Sequence, residues 1–128
     1  MNAKVLSVNP PIVRVSINGH NTAMMIDSGA SANVVDLNQI GRYDIRKGIH
    51  LGEADVAGGG LDLWHVKNCE VKIDGIPVYQ FLAADLKSVV ENVYKATDIM
   101  IAGLLGTPAI IQAELGIRLS DGEITIGY

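Results

Sequence analysis

The sequence predicts an all-β fold with one or two short helices, and two observations support this prediction. Apolar residues make up 48% of the 128 residues, yet only 5% are aromatic, and Val, Ile, Gly and Thr are abundant, as in compact β-rich proteins. Asn-Gly or Asp-Gly pairs at positions 18–19, 74–75 and 121–122 separate runs of β-type residues, and such pairs favour two-residue hairpin turns. A chain of this length suits one domain, so we expect residues 1–128 to form a single domain.

The three pairs predict three hairpins, with strands at residues 12–17 and 22–26, 66–73 and 78–82, and 117–120 and 123–126. Residues 5–8 predict a further strand, which Pro10 and Pro11 separate from the first hairpin. Residues 52–64 contain three successive glycines between strand-like segments, which favours a mobile hairpin or loop.

Two helices are predicted in the second half of the chain. Residues 108–115 have clear boundaries, because Thr107 can act as N-cap, Pro108 suits the first turn and Gly116 can end the helix. Residues 86–94 place four apolar side chains on one face, the spacing of an amphipathic helix.

Composition and charge exclude several functions. The net charge is −4 and the ten Lys and Arg residues are scattered, so we expect neither a nucleic-acid nor an anionic-lipid partner. The longest apolar stretch is too short to cross a bilayer, and the N-terminus lacks a signal pattern; we therefore expect a soluble protein, cytoplasmic if the chain is complete. Cys69 is the single cysteine and is expected to be a structural strand residue. The histidines do not have zinc-site spacing, so no metal and no cofactor is expected.

A carboxylate stands where an apolar strand should end. In "MMIDSGASANVVD", the apolar residues Met24 to Ile26 are followed by Asp27 and then by small residues. Taken alone, such an Asp is most simply a loop-capping residue.

The stretch Asp27-Ser28-Gly29-Ala30-Ser31 resembles the signature of the retropepsin-like aspartic proteases, a single-domain family that includes the retroviral proteases. The preceding "IVRVSINGHNTAMMIDSGAS" is similar to the family's hairpin before the catalytic Asp, "GLLGTPAI" (103–110) to its second conserved element, and "GIRLSDGEITIGY" to its terminal strands. The resemblance covers the chain from residue 12 onward and implies a retropepsin-like acid protease barrel.

The resemblance also implies roles for individual residues. Asp27 would be the catalytic carboxylate, and Ser28 would interlock two Asp-bearing loops. The active-site loop and its support would be Ser28, Gly29, Ala30, Leu105 and Gly106. A flap closing over an extended peptide would be formed by Ala57, Gly58, Gly59 and Gly60. The cation that often follows the glycine of the family's second conserved element is replaced here by Thr107 and Pro108. We therefore expect no inter-loop ion pair there to strengthen the dimer.

The chemistry needs two carboxylates, because one must accept a proton from the attacking water while another donates one. Such a close pair shares a proton, an effect for which aspartic proteases are the standard example. Asp74 and Asp121 lie in predicted turns without a following hydroxyl residue, so each chain supplies only Asp27. We therefore expect a twofold homodimer that pairs the two Asp27 residues and acts as an aspartic endopeptidase on peptides or proteins.

Other functions are weighed against this hypothesis. A fold does not establish an activity, so a non-catalytic dimerisation or peptide-binding module is the main alternative, followed by a ligand-binding barrel in which Asp27 is structural. A serine hydrolase is rejected, because Ser28 and Ser31 lack the Gly-x-Ser-x-Gly context. A phosphate-binding loop at the three glycines is disfavoured, because no Lys-Ser/Thr follows them.

Overall fold

The computed structural model describes residues 4–56, 59–118 and 123–125 of the chain. Its strands are β1 (Val5–Ser7), β2 (Ile12–Ile17), β3 (His20–Ile26), β4 (Asn33–Asp36), β5 (Arg46–Val56), β6 (Gly59–Lys67), β7 (Val71–Ile73), β8 (Ile76–Val78), β9 (Phe81–Ala84), β10 (Gly103–Leu105), β11 (Gly116–Arg118) and β12 (Glu123–Thr125). Its helices are a 3₁₀ helix (Leu37–Tyr43), α1 (Lys87–Thr97) and α2 (Thr107–Gln112). The structure is mostly β with short helices, which confirms the predicted fold class.

One sheet holds most of the described strands, in the order β5-β6-β9-β4-β10-β3-β2-β7-β8, with β1 paired to β2. The short strand β10 lies at its centre, parallel to β3 and antiparallel to β4. Gly103 at the start of β10 has no room for a side chain, because a Cβ there would come within 2.9 Å of the Val35 backbone. Strands β3 and β4 are thus held closely on either side of β10.

The first predicted hairpin is confirmed as β2 and β3. Asn18 and Gly19 have φ angles of 49° and 83°, as a type I′ turn requires of both central residues. Along β2, Val13, Val15 and Ile17 are buried in the core, as expected for a strand with one face inward.

The second hairpin is confirmed at its turn but not in the extent of its strands. Asp74 and Gly75 connect β7 to β8 with φ angles of 49° and 81°. The predicted strands 66–73 and 78–82 are wrong in length, because each is interrupted by residues that do not pair.

Each interruption contains a residue with a left-handed backbone conformation. Asn68 and Gln80 adopt positive φ angles of 56° and 67°, which extended pairing does not allow. The Asn18 side chain stabilises the first break by donating to the Asn68 carbonyl at 2.6 Å and accepting from the Glu70 amide at 2.9 Å. Cys69 consequently lies between β6 and β7 and not in the strand expected for it.

The remaining strand predictions hold with small changes of boundary. β11 and β12 pair antiparallel, and the turn predicted between them at Asp121 and Gly122 lies outside the described residues. β1 ends at Ser7, one residue earlier than predicted. Strands β5 and β6 form the long hairpin that was expected around the three glycines.

Both predicted helices are present, with altered boundaries. α1 begins after Leu86 and runs three residues further than predicted, to Thr97. α2 is shorter than the predicted 108–115, and the prediction of Thr107 as N-cap is wrong because Gly106 occupies that position. The Thr107 hydroxyl instead donates to the Ala30 carbonyl at 3.2 Å, a contact between distant segments that local sequence does not reveal.

The buried apolar side chains form two clusters. The larger contains inward-facing residues of β2, β3, β7 and α2, which are Val13, Val15, Ile17, Met24, Ile26, Val71, Ile73 and Ala109. The second joins α1 to the centre of the sheet, and its buried members are Ile12, Ala23, Val34, Ala84, Leu86, Val90, Val93, Ile101 and Leu104. Within the described parts of the chain, no helix is long and apolar enough to span a membrane.

Candidate active site

Asp27 is placed by the central strands of the sheet. It directly follows β3, whose last residues Met25 and Ile26 are paired with Leu104 and Leu105 of β10. The Asp27 amide continues this pairing by donating to the Leu105 carbonyl at 2.8 Å. The backbone of Asp27 is therefore fixed by the core although its side chain is only half-buried.

The loop after Asp27 orients the carboxylate. The Gly29 amide donates to Asp27 Oδ1 at 3.0 Å, and the Ala30 amide donates to the Asp27 carbonyl at 3.1 Å. This is the local turn that an Asp side chain favours. Among the described residues no other hydrogen bond to the Asp27 carboxylate is found, so Oδ2 is available to a water or a substrate.

The segment after β10 supports the loop from below. A Cβ on Gly106 would lie 2.6 Å from the Ala30 carbonyl oxygen and would also overlap the backbone of Ala32. The Thr107 amide donates to the same Ala30 carbonyl at 2.9 Å. The structure thus brings Leu105 and Gly106 against the loop that contains Asp27, Ser28, Gly29 and Ala30, while Ser28 and Gly29 themselves are exposed.

Asn33 is a site residue that the sequence analysis missed. It is fully buried, and its Oδ1 accepts from the amides of Gly106 at 2.8 Å and Ala109 at 3.3 Å. Its Nδ2 donates to the Tyr79 carbonyl at 2.7 Å. An Asn followed by two valines six residues after the Asp was the available signal, because a buried amide needs partners.

Two cavities adjoin Asp27. One of about 450 Å³ is lined by Pro11, Ile26, Asp27, Ser28, Ile110 and Leu115. The other, of about 280 Å³, is lined by Asp27, Gly29, Ala30, Ser31, Ala32, Val34, Leu61, Leu63, Leu86 and Leu104. We call the second one the apolar pocket, because five of its ten lining residues are Leu or Val.

The long hairpin reaches the apolar pocket through its second strand. Gly59 and Gly60 lie at the beginning of β6, and Leu61 and Leu63 of the same strand line the pocket. Of the four predicted flap residues, Ala57 and Gly58 lie outside the described residues.

The surroundings of Asp85 and Cys69 shift the pKa values of these two groups. The Lys87 amide and the Asn38 side chain donate to Asp85 and lower the pKa of that carboxyl. Burial raises the pKa of the Cys69 thiol to about 11, so the thiol stays protonated at neutral pH. In the described ranges, no group of three His, Cys, Asp or Glu side chains is arranged to hold a metal ion.

Comparison with known proteins gives a consistent result. The family model described as "gag-polyprotein putative aspartyl protease" matches residues 13–110. The structure is similar to EIAV protease complexed with the inhibitor HBY-793, with a TM-score of 0.61 and 17% identity over 85% of this chain and 92% of that one. It is also similar to the retroviral protease-like domain of Ddi1 from Leishmania major, with a TM-score of 0.59 and 16% identity over 96% of this chain and 88% of that one. At these identities the two structures show a shared fold. A search of curated proteins by sequence found no match.

Proposed function

Because this chain belongs to the gag-polyprotein aspartyl protease family of retropepsin-like proteins, we propose that it is an aspartic endopeptidase that acts as a homodimer. Asp27 is the catalytic residue in this proposal. Ser28, Gly29, Ala30, Leu105 and Gly106 hold the loop on which it lies.

The observation that carries the proposal is how the Asp27 carboxylate is held and what lies beside it. Its backbone is anchored to β10 by the bond to the Leu105 carbonyl. One carboxylate oxygen accepts from the Gly29 amide, and the side chain borders both cavities. A fixed, accessible carboxylate beside an apolar pocket suits general acid–base chemistry on a bound peptide.

The reaction requires a second carboxylate, which a second copy of the chain supplies. In a twofold dimer the two Asp27 side chains meet at the axis, where close carboxylates hold one proton between them. The ionised carboxylate takes a proton from water as the water oxygen attacks the peptide carbonyl carbon. The protonated one gives its proton to the carbonyl oxygen, which yields a tetrahedral diol. The carboxyl that took the proton from water then passes it to the nitrogen, while the other carboxylate takes back a diol proton as the C–N bond breaks and the carbonyl re-forms.

The long hairpin of β5 and β6 is the proposed flap, and Ala57, Gly58, Gly59 and Gly60 are the residues that we propose close over the peptide. Leu61 and Leu63 already face the apolar pocket, so a peptide bound beneath the hairpin would place an apolar side chain there. Closure over an extended peptide would add backbone hydrogen bonds and exclude water from the reacting atoms.

The test is cleavage of a peptide library, read by mass spectrometry, with wild type and Asp27→Asn compared over roughly pH 4 to 7. We expect wild type to cut and the variant to cut none of the same bonds. Asp74→Asn is the matched control, because it makes the same chemical change in a hairpin turn where Asn also tolerates the positive φ angle.

The dimer is tested by mixing the two proteins after confirming their association by analytical ultracentrifugation. If both carboxylates of a dimer are needed, an excess of Asp27→Asn lowers wild-type activity by forming mixed, inactive dimers. Mixing with the same excess of Asp74→Asn should not lower the activity, because every dimer then keeps both Asp27 residues. A folded, dimeric wild type that cuts nothing beyond what Asp27→Asn cuts would support the non-catalytic peptide-binding module instead.

A further inference from the structure

A second aspartate, Asp36, is buried behind the apolar pocket, and the proposed chemistry does not use it. It ends β4 and is only 2% exposed. Its Oδ1 accepts from the amides of Asn38 at 3.2 Å and Leu86 at 3.1 Å and from the Asn38 side chain at 2.9 Å. Its Oδ2 accepts from Gln39 Nε2 at 2.9 Å. A buried carboxylate is costly unless it is fully hydrogen-bonded, and this one has four donors.

The donor that matters for the pocket is the Leu86 amide. Leu86 is the residue before α1 and is 4% exposed, and its side chain lines the apolar pocket together with Asp27. Asp36 and Leu86 are 50 residues apart in sequence. The bond between them fixes the point at which the chain leaves β9 and enters α1.

Neighbouring bonds hold the same point. Asn38 donates from one side-chain nitrogen to both Asp36 at 2.9 Å and Asp85 at 2.7 Å. Asp85 in turn accepts from the Lys87 amide at 3.0 Å. Side chains therefore hold three consecutive residues at the entry to α1. Asn38 binds Asp85, Asp36 binds the Leu86 amide, and Asp85 binds the Lys87 amide.

Helix α1 packs against the walls of the pocket. Val90 and Val93 are buried in the same apolar cluster as Leu86, Val34 and Leu104. Leu86, Val34 and Leu104 also line the apolar pocket. The helix and the pocket thus share one packed unit, in which a shift of α1 would move Leu86.

We propose that Asp36 is a positioning residue for substrate selection: by holding the Leu86 amide, it fixes the Leu86 side chain as a wall of the apolar pocket and so limits the size of the substrate side chain. This inference rests on the proposed peptidase function. It assigns a role to helix α1 as the support of that wall.

The test uses two peptides that differ only in having Leu or Trp at one position of an otherwise identical sequence. That sequence is taken from the library members that wild type cuts or, if it cuts none, from those that it binds, and the varied position lies beside the scissile bond or the central bond. The measured quantity is the ratio of kcat/KM for the Trp peptide to that for the Leu peptide. Leu86→Ala enlarges the pocket and should raise this ratio about 10-fold, the scale on which apolar pockets discriminate size. Asp36→Asn should also raise this ratio, but by a smaller factor.

Two controls separate positioning from general weakening of the fold. Ile73→Ala removes a fully buried side chain from the other apolar cluster, so it should lower Tm and leave the ratio unchanged. In the double variant of Leu86→Ala and Asp36→Asn, the second change should have little further effect on the ratio, because both act through one side chain. Should Asp36→Asn fail to fold, Asn38→Ala replaces it, since Asn38 holds the same entry to α1.

Binding of uncleavable peptides distinguishes failure of this inference from failure of the proposed function. The probes are the same Leu and Trp peptides with a reduced scissile bond, titrated into each protein by calorimetry. If wild type cuts both peptides and the variants have the same ratio of kcat/KM values as wild type, this inference is overturned and the proposed function stands. Wild type that binds but never cuts overturns the peptidase, and the Kd ratios of the variants then decide the inference. Wild type that binds neither peptide overturns both.

Discussion

Asp27 directly follows β3 and Asp36 is the last residue of β4, the two strands that flank β10, and the two carboxylates differ in what surrounds them. The Asp27 amide donates to the Leu105 carbonyl at one end of β10, and the Asp36 amide donates to the Ala102 carbonyl just before its other end, each at 2.8 Å. Asp36 is buried with four donors. Asp27 is half-buried, with the Gly29 amide as its one donor among the described residues.

The difference shows how one residue type serves two purposes. A carboxylate whose oxygens are all occupied stabilises the fold and has nothing left for a ligand. A carboxylate held by its backbone, with an oxygen left free, contributes little to folding and is available for chemistry. Variants of the two residues should therefore fail in different measurements.

The largest expected effect is on activity at Asp27. Asp27→Asn should lower kcat/KM by about 10² to 10⁴-fold, the contribution typical of a general acid–base group, because the amide can neither accept nor release the proton. The free energy of unfolding should stay within about 0.5 kcal/mol of wild type, as for other accessible positions. The kinetic assay measures the loss of activity, and urea denaturation measures the free energy of unfolding. A large loss of stability would contradict the contrast drawn between Asp27 and Asp36.

Asp36→Ala should have the largest effect on stability. It leaves the Leu86 amide and the Gln39 side chain without an acceptor in the core, for a loss of about 3 kcal/mol or more. Urea unfolding measures it, with Glu91→Ala at an exposed position of α1 as the control. A loss no greater than that of the control would mean that the four bonds to Asp36 do not stabilise the fold.

Gly106→Ala tests the support under Asp27. The added methyl group would meet the Ala30 carbonyl oxygen at 2.6 Å, so the loop must shift at a cost of about 1 to 3 kcal/mol. Because that loop carries Asp27, we expect activity to fall as well. Gly41→Ala is the matched control, since a Cβ at Gly41 has no neighbour within 4 Å, and equal behaviour of the two variants would refute the close contact.

The smallest effect is expected at Asp85, which borders the Asp36 network but is exposed. Its pKa is lowered in the folded protein by the Lys87 amide and the Asn38 side chain. The folded state thus binds the proton less readily than the unfolded state, and the resulting stabilisation is present above the ordinary carboxyl pKa of 3.8 and is lost as pH falls below it. The stability difference between wild type and Asp85→Asn should be constant from pH 7 to about 5 and shrink toward pH 3. A difference that grows on acidification would contradict the assigned sign.

The predictable parts of the fold and the candidate site were local in sequence. The turns at 18–19 and 74–75 followed from residues that tolerate positive φ angles, and the α1 face followed from its spacing. The motif at Asp27 drew attention to the loop because a charge there interrupts an apolar strand. The breaks at Asn68 and Gln80 were missed because partners distant in the chain stabilise them.

The sequence by itself determined the hairpins, the helix-forming segments and the presence of one aspartate motif per chain, because backbone preferences and short-range periodicity decide these features. Only the tertiary structure decided what each carboxylate does. Whether an aspartate is buried, how many donors reach it and which cavity it borders depend on strands and loops that are far apart in sequence, as the 50-residue separation of Asp36 and Leu86 shows. Among the described residues, the packing around β10 leaves one oxygen of Asp27 without a hydrogen-bond donor and provides donors to both oxygens of Asp36, and neither outcome is encoded in the few residues around them.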